Sequence, residues 1–172
     1  MIVFVAGLSR SGKTSRSQYA ATTLPNIEYL SVSQLLRSAG RKLPVRTIAE
    51  AIENQRYALE ALTATPLQRT HRLVDGHALI ETVEGPMLVP DWFFDDLAPD
   101  IILLVYDRPE AIISRRLDIS SEHRMLDVAA LAKIEKAACE RTASRLGIPL
   151  VELDAPSLEG FSDIVRHRLS RN

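Results

Sequence analysis

Short apolar runs alternate along this chain with longer stretches in which apolar residues return every three or four positions. That alternation is the pattern of strands and helices in an α/β fold built on a parallel sheet. Strands are predicted at Ile2–Ala6, Ile27–Leu30, His71–Val74, Ile101–Tyr106 and Leu150–Leu153. The last is set by Gly147-Ile148-Pro149, a helix-ending glycine followed by a proline that bars continuation. Helices are predicted at Lys13–Thr22, Ser33–Ser38, Val45–Ala64, Pro90–Leu97, Pro109–Leu117, Val128–Leu146 and Gly160–Leu169. Pro109 suits a first-turn position, and Ser31 or Ser33 is available as a cap. The polar, charged segment Asp118 to Asp127 reads as a surface loop. The expected architecture is a single three-layer α/β/α domain over residues 1–172, with a five-stranded parallel sheet.

The link between the first strand and first helix carries the chemistry. Residues 7–14 read GLSRSGKT, the phosphate-binding P-loop pattern G-x-x-x-x-G-K-[ST], placed between a buried-type strand and a helix. Gly7 and Gly12 let the backbone turn tightly and approach an anion. N–H groups of the loop and of the first helical turn, from Arg10, Ser11, Gly12, Lys13, Thr14 and Ser15, are candidates to converge on phosphate oxygens. Lys13 is the candidate to neutralise the β- and γ-phosphates, and the Thr14 hydroxyl the candidate ligand for Mg²⁺. The competing reading is a plain glycine turn with Lys13 in solvent.

A second signal is an acid at a strand end. Leu73-Val74-Asp75-Gly76-His77 puts a carboxylate where the third strand runs out, on the edge of a parallel sheet that faces ligands. Asp75 is therefore the candidate partner of Thr14 in holding Mg²⁺, against the alternative that Asp-Gly is only a turn. Gly76 would leave room for phosphates or a neighbouring backbone. His77 is either a contact to phosphate or acceptor, or a structural residue. Phosphoryl transfer calls for forked guanidinium groups around the migrating charge. Arg10 in the loop, Arg37 after the second strand, and Arg115, Arg116 and Arg124 around the polar segment are placed for that work. Asp107 reaches either the crevice or the cap of the helix at Pro109.

These segments resemble the adenylate-kinase-like nucleoside monophosphate kinases. Leu30-Ser31-Val32-Ser33-Gln34-Leu35-Leu36-Arg37 is similar to that family's acceptor segment I-S-T-G-D-x-L-R, which implies that Arg37 grips a monophosphate. Val74-Asp75-Gly76 resembles the third-strand D-G. Ile101–Val105, Pro109-Glu110 and Arg115-Arg116 resemble the fourth strand, its turn and the lid arginines, which implies charge neutralisation by Arg116 and Arg124. Asp75-Gly76-His77-Ala78 with Leu88-Val89-Pro90-Asp91-Trp92 resembles the compact archaeal-type adenylate kinases, with a short lid and an aspartate-x-histidine. The resemblance implies ATP and Mg²⁺, an acceptor-binding insertion at about residues 31–70 and a short lid at about 116–127. The chain departs at Ser33-Gln34, where the family has Gly-Asp, and at His77-Ala78-Leu79, where many members have an aromatic, a proline and an arginine. Arg46 or Arg56 would have to replace that arginine.

Composition adds limits. The 172 residues are 46% hydrophobic and 25% charged, with a formal net charge of -1, which gives no electrostatic reason to expect nucleic acid or a membrane surface. One cysteine, Cys139, excludes an intrachain disulfide and is expected to be a buried thiol. The apolar run at residues 2–6 is too short for a signal peptide or a membrane span. A cytoplasmic monomer or homodimer acting on ATP and a small acceptor fits these limits. Alternatives are a nucleotide-dependent switch or ATPase, against which the absence of an N-K-x-D base signature counts for GTP, and a kinase of a non-nucleotide metabolite.

Overall fold

The computed structural model describes residues 1–117 and 127–170. Its elements run β1 (Ile2–Ala6), α1 (Lys13–Thr23), β2 (Ile27–Ser31), α2 (Val32–Ser38), α3 (Ile48–Ala64), β3 (His71–Asp75), β4 (Leu79–Thr82), β5 (Gly85–Leu88), α4 (Asp91–Leu97), β6 (Ile101–Tyr106), α5 (Pro109–Leu117), α6 (Val128–Leu146), β7 (Leu150–Asp154) and α7 (Leu158–Leu169). The five predicted strands form one parallel sheet in the order β2-β3-β1-β6-β7. Strands buried on both faces explain their near-continuous apolar character.

The two faces have separate cores. On one, Phe4 meets Phe93 and Phe94 edge to face at 6.3 and 5.1 Å, and α3, α4 and α6 cover them. On the other, Val3, Val5, Leu73 and Leu103 pack under α1 and α7, whose Ala20, Phe161 and Val165 are buried. Phe93 and Phe94 are thus core residues, whereas Trp92 lies part-exposed with the Arg56 guanidinium over its ring at 6.0 Å. Cys139 is buried, and burial pushes its thiol upward.

Two expectations are corrected. The third helix begins at Ile48 rather than Val45, because Thr47 caps it: the Thr47 hydroxyl accepts from Glu50 N–H at 3.1 Å, and the Glu50 carboxylate accepts from the Thr47 and Arg46 amides. The stretch after Gly76 forms an antiparallel hairpin, β4 with β5, that the strand reading omitted. Its second strand carries Pro86, which a ladder accepts only at an edge.

Register positions the site. Val5 pairs with Asp75 and Ser31 pairs with Asp75 across the three adjacent strands, so the P-loop leaves β1 beside the acid that ends β3.

Candidate active site

Gly7 leaves β1 at φ 144°, and a Cβ there would sit 2.4 Å from the Val105 carbonyl oxygen of the neighbouring strand, so only glycine passes. Gly12, at φ 84°, is the N-cap of α1. Between them Arg10 adopts φ 71°, an uncommon conformation for a residue with a side chain. The Ser11 amide donates to the Leu8 carbonyl at 3.0 Å, closing the loop, while the buried Ser11 hydroxyl has no partner. Thr14 and Ser15, in the first turn of α1, are exposed. Their amides stand at the positive end of the helix, where an anion is favoured.

Lys13 turns back into the loop it follows. It is 5% exposed; its Nζ donates to the Leu8 carbonyl at 3.3 Å, meets His77 Nε2 at 3.4 Å, and stands 3.9 Å from Asp75 Oδ1. Burial lowers the ammonium's pKa, while the Asp75 and Glu135 carboxylates push it back up. The Thr14 hydroxyl donates to Asp75 Oδ2 at 2.6 Å, and the Tyr29 hydroxyl donates to the same oxygen at 3.0 Å. Burial, then the adjacent Asp75 charge, pushes the Tyr29 phenol up to about 12. Burial and next the Lys13 ammonium hold the half-buried His77 ring well below its ordinary value, so it is neutral at physiological pH and can accept from Lys13.

The structure therefore brings together Gly7, Ser11, Gly12, Lys13, Thr14, Asp75 and His77. Gly76 serves otherwise than expected: a Cβ there would lie 2.8 Å from the Phe4 ring, so the small residue makes room for the core and not for a ligand. The arginines divide. The Arg116 guanidinium forms a fork with the Glu81 carboxylate, at 2.9 and 2.6 Å, and also donates to the Ser9 carbonyl at 3.3 Å. Arg115 bridges Asp107, at 2.6 Å, and the Arg10 carbonyl, at 2.8 Å. Burial alone would raise the Asp107 carboxyl, but the Arg115 bond and the Arg108 amide hold it below its ordinary value. Asp107 is thus an ion-pair partner of Arg115 that also accepts from the Arg108 amide ahead of α5. The Arg10 side chain is exposed at the loop. Arg37 is exposed on α2, its guanidinium donating to Ser33 Oγ at 3.4 Å, and is not drawn into the cluster. Arg46 and Arg56 are likewise exposed. Arg124 and most of the expected lid lie outside the described residues.

Three residues escaped the sequence reading. Glu135 of α6 is 1% exposed and accepts from the Gly7 and Ala78 amides, each at 3.0 Å. Its signal was present: Val128, Leu131, Glu135, Ala138, Cys139 and Thr142 form the buried stripe of α6, and an acid inside such a stripe needs partners. Tyr29 and Glu81 gave no signal, because only the pairing of β2 with β3 and the path of the hairpin bring them to the site.

A carboxylate beside a hydroxyl is a hard-oxygen pair suited to Mg²⁺, an ion that keeps waters and is completed by substrate phosphates. Among the described residues no three His, Cys, Asp or Glu side chains cluster as a metal cage. No helix among them is long and apolar enough to cross a membrane.

The chain matches the AAA domain family over residues 6–135. The adenylate kinase of Methanothermobacter thermautotrophicus is 32% identical over 146 residues, covering 78% of this chain and 76% of that protein. The adenylate kinase of Methanopyrus kandleri is 26% identical over 148 residues, covering 78% and 75%. A shikimate kinase from Acinetobacter baumannii, solved in complex with shikimate, superposes with a TM-score of 0.66 at 15% identity, covering 99% of this chain and 94% of that one. That last likeness is one of fold.

Proposed function

The chain belongs to the AAA domain family and to the P-loop kinases, and from that premise we propose that it moves the γ-phosphoryl of ATP to a small acceptor, foremost a nucleoside monophosphate. The meeting of Lys13, Thr14, Asp75 and His77 at the mouth of a glycine-framed loop carries this reading. The buried, unpartnered Ser11 hydroxyl inside the loop fits a phosphate group in the cradle.

In this reading the amides from Arg10 to Ser15 bind the β- and γ-phosphates, and the Lys13 ammonium offsets charge on the migrating phosphoryl. Thr14 and Asp75 would hold Mg²⁺, which would supply positive charge against the charge developing on the phosphates. Tyr29 orients Asp75. Arg116 exchanges Glu81 for phosphate, Arg10 and Arg124 add positive charge from the loop and the lid, and His77 takes a hydrogen bond from Lys13 and so directs it. Arg37 binds the acceptor within a region of about residues 31–70, and a lid of about 116–127 excludes water. The proposed setting is the cytoplasm, as a monomer or homodimer.

A second reading has one observation behind it. The exposed Arg37 guanidinium donates to Ser33 of its own helix, so among the described residues no monophosphate clamp is assembled, and the shikimate kinase fold likeness makes a hydroxyl-bearing metabolite the next acceptor class.

The test is ³¹P NMR of the purified protein with Mg·ATP and a pool of nucleoside monophosphates, nucleosides and hydroxylated acids. ADP forms in every case; a second diphosphate resonance matched to the monophosphate acceptor supports the first reading, and a new monoester matched to a hydroxyl acceptor the second. Inorganic phosphate alone would overturn both in favour of an ATPase.

A further inference from the structure

Glu135 does work that the kinase reading has not used. It stands on the sheet-facing stripe of α6 at 1% exposure, and one of its oxygens, Oε1, accepts both the Gly7 and the Ala78 amides at 3.0 Å. Gly7 opens the P-loop, and Ala78 follows His77 in the segment that leaves β3. The two amides belong to the two segments that carry Lys13 and His77, and those side chains meet at 3.4 Å. Gly7, without a side chain, has more backbone freedom than a residue that carries one, so its buried peptide needs an outside partner to hold one orientation.

We propose that Glu135 is a positioning residue for phosphoryl transfer: a single carboxylate oxygen on α6 pins the Gly7 peptide to the His77–Ala78 segment and holds the phosphate cradle in its binding shape. The proposal rests on the kinase reading. An apolar residue would pack in the α6 stripe, whose other members include Leu131 and Ala138, but it would leave two buried N–H groups without an acceptor. The Gly7 peptide would then turn to find another, and displacement of a catalytic frame by about 1 Å can cost about 10²-fold in rate.

Two variants and two readouts test this. Glu135→Leu removes the acceptor, whereas Glu135→Gln keeps a carbonyl oxygen of similar reach. The expected result is a kcat within about threefold of wild type for Glu135→Gln and lower by about 10²-fold for Glu135→Leu, counted per folded molecule. In ¹⁵N NMR of the nucleotide-free protein, the Gly7 and Ala78 amides should stay in place and exchange slowly in Glu135→Gln, and shift and exchange quickly in Glu135→Leu. Wild-type kcat and KM in Glu135→Leu, or unmoved amides, would overturn the proposal. If Glu135→Leu does not fold, Glu135→Gln decides: a loss of kcat near 10²-fold there overturns it, and retention supports it. Failure of the kinase reading looks different, as wild-type protein that transfers no phosphoryl group from Mg·ATP to an acceptor, and the amide readout judges the Glu135 contact regardless.

Discussion

Thr14 Oγ1 and Asp75 Oδ2 stand 2.6 Å apart, joining the first turn of α1 to the end of β3, and Tyr29 donates to the same carboxylate oxygen from β2. Three elements therefore fix one carboxylate. Asp75→Asn keeps the shape but removes the charge that would attract Mg²⁺, so turnover should fall about 10²-fold or more. Tyr29→Phe removes only the orienting bond and should raise the Mg²⁺ concentration for half-maximal activity about tenfold, with kcat at saturating metal preserved. Titration of activity with Mg²⁺ checks both. An unchanged Mg²⁺ requirement in Tyr29→Phe would mean that Thr14 alone orients the acid.

Arg10 pays for its place in the loop with φ 71°, where a side chain crowds the backbone. Arg10→Gly should relieve about 1 kcal/mol, visible as a rise of about 2–4 °C in thermal midpoint. The same variant removes a guanidinium exposed at the loop, so the KM for ATP should rise. A higher midpoint with unaltered KM would leave Arg10 as a residue in solvent, uninvolved in phosphate binding.

How far the sequence reached is clearest at the sheet. Ile2–Ala6 and Ile101–Tyr106 are legible to the residue, and the other three strands to within one residue at their C-terminal ends, because strands buried on both faces leave unbroken apolar runs. The P-loop was legible because its geometry demands particular residues at fixed spacing. The hairpin was not: Pro86 interrupts its alternation, and its faces meet different neighbours, with Leu79 packed near Leu8 and Ile112 while Met87 packs with Val45 and Ala51. With the hairpin unseen, the Glu81–Arg116 pair could not be read either. Glu135 was legible in principle, as a lone acid in an apolar stripe, but its partners Gly7 and Ala78 are backbone amides that no residue type announces.

Arg116 is only 12% exposed and Glu81 16%, so their fork is partly shielded from water. Among the described residues Glu81→Ala leaves a shielded guanidinium with the Ser9 carbonyl alone and should cost about 2 kcal/mol of stability. Arg116→Ala should instead lower kcat by about 10²- to 10³-fold, because the group proposed to meet the phosphoryl is gone. Urea unfolding and initial rates on both variants separate the roles. Equal kinetic losses in the two would mean that Arg116 works through its grip on Glu81 and the hairpin, not through phosphate.

Glu135 also makes stability depend on pH in a predictable direction. Burial is the leading cause that raises its carboxyl from an ordinary 4.5 to about 7, against the Ala78, Gly7 and Leu79 amides and the Lys13 ammonium, all of which pull it down. A group whose pKa is higher in the folded state binds its proton more tightly there, so folding is favoured in full below the unfolded value of 4.5 and that advantage is lost as pH rises through about 7. The span amounts to roughly 3 kcal/mol as an upper bound. Glu135→Gln carries no such proton, so any fixed effect of the amide cancels from the change with pH. The midpoint of Glu135→Gln minus that of wild type should therefore grow by several degrees between about pH 5 and pH 8 and level off above that. Calorimetry of the two proteins across this range measures it. A flat difference would mean that the folded carboxyl ionises near its ordinary value, with the Gly7 and Ala78 amides and Lys13 outweighing burial.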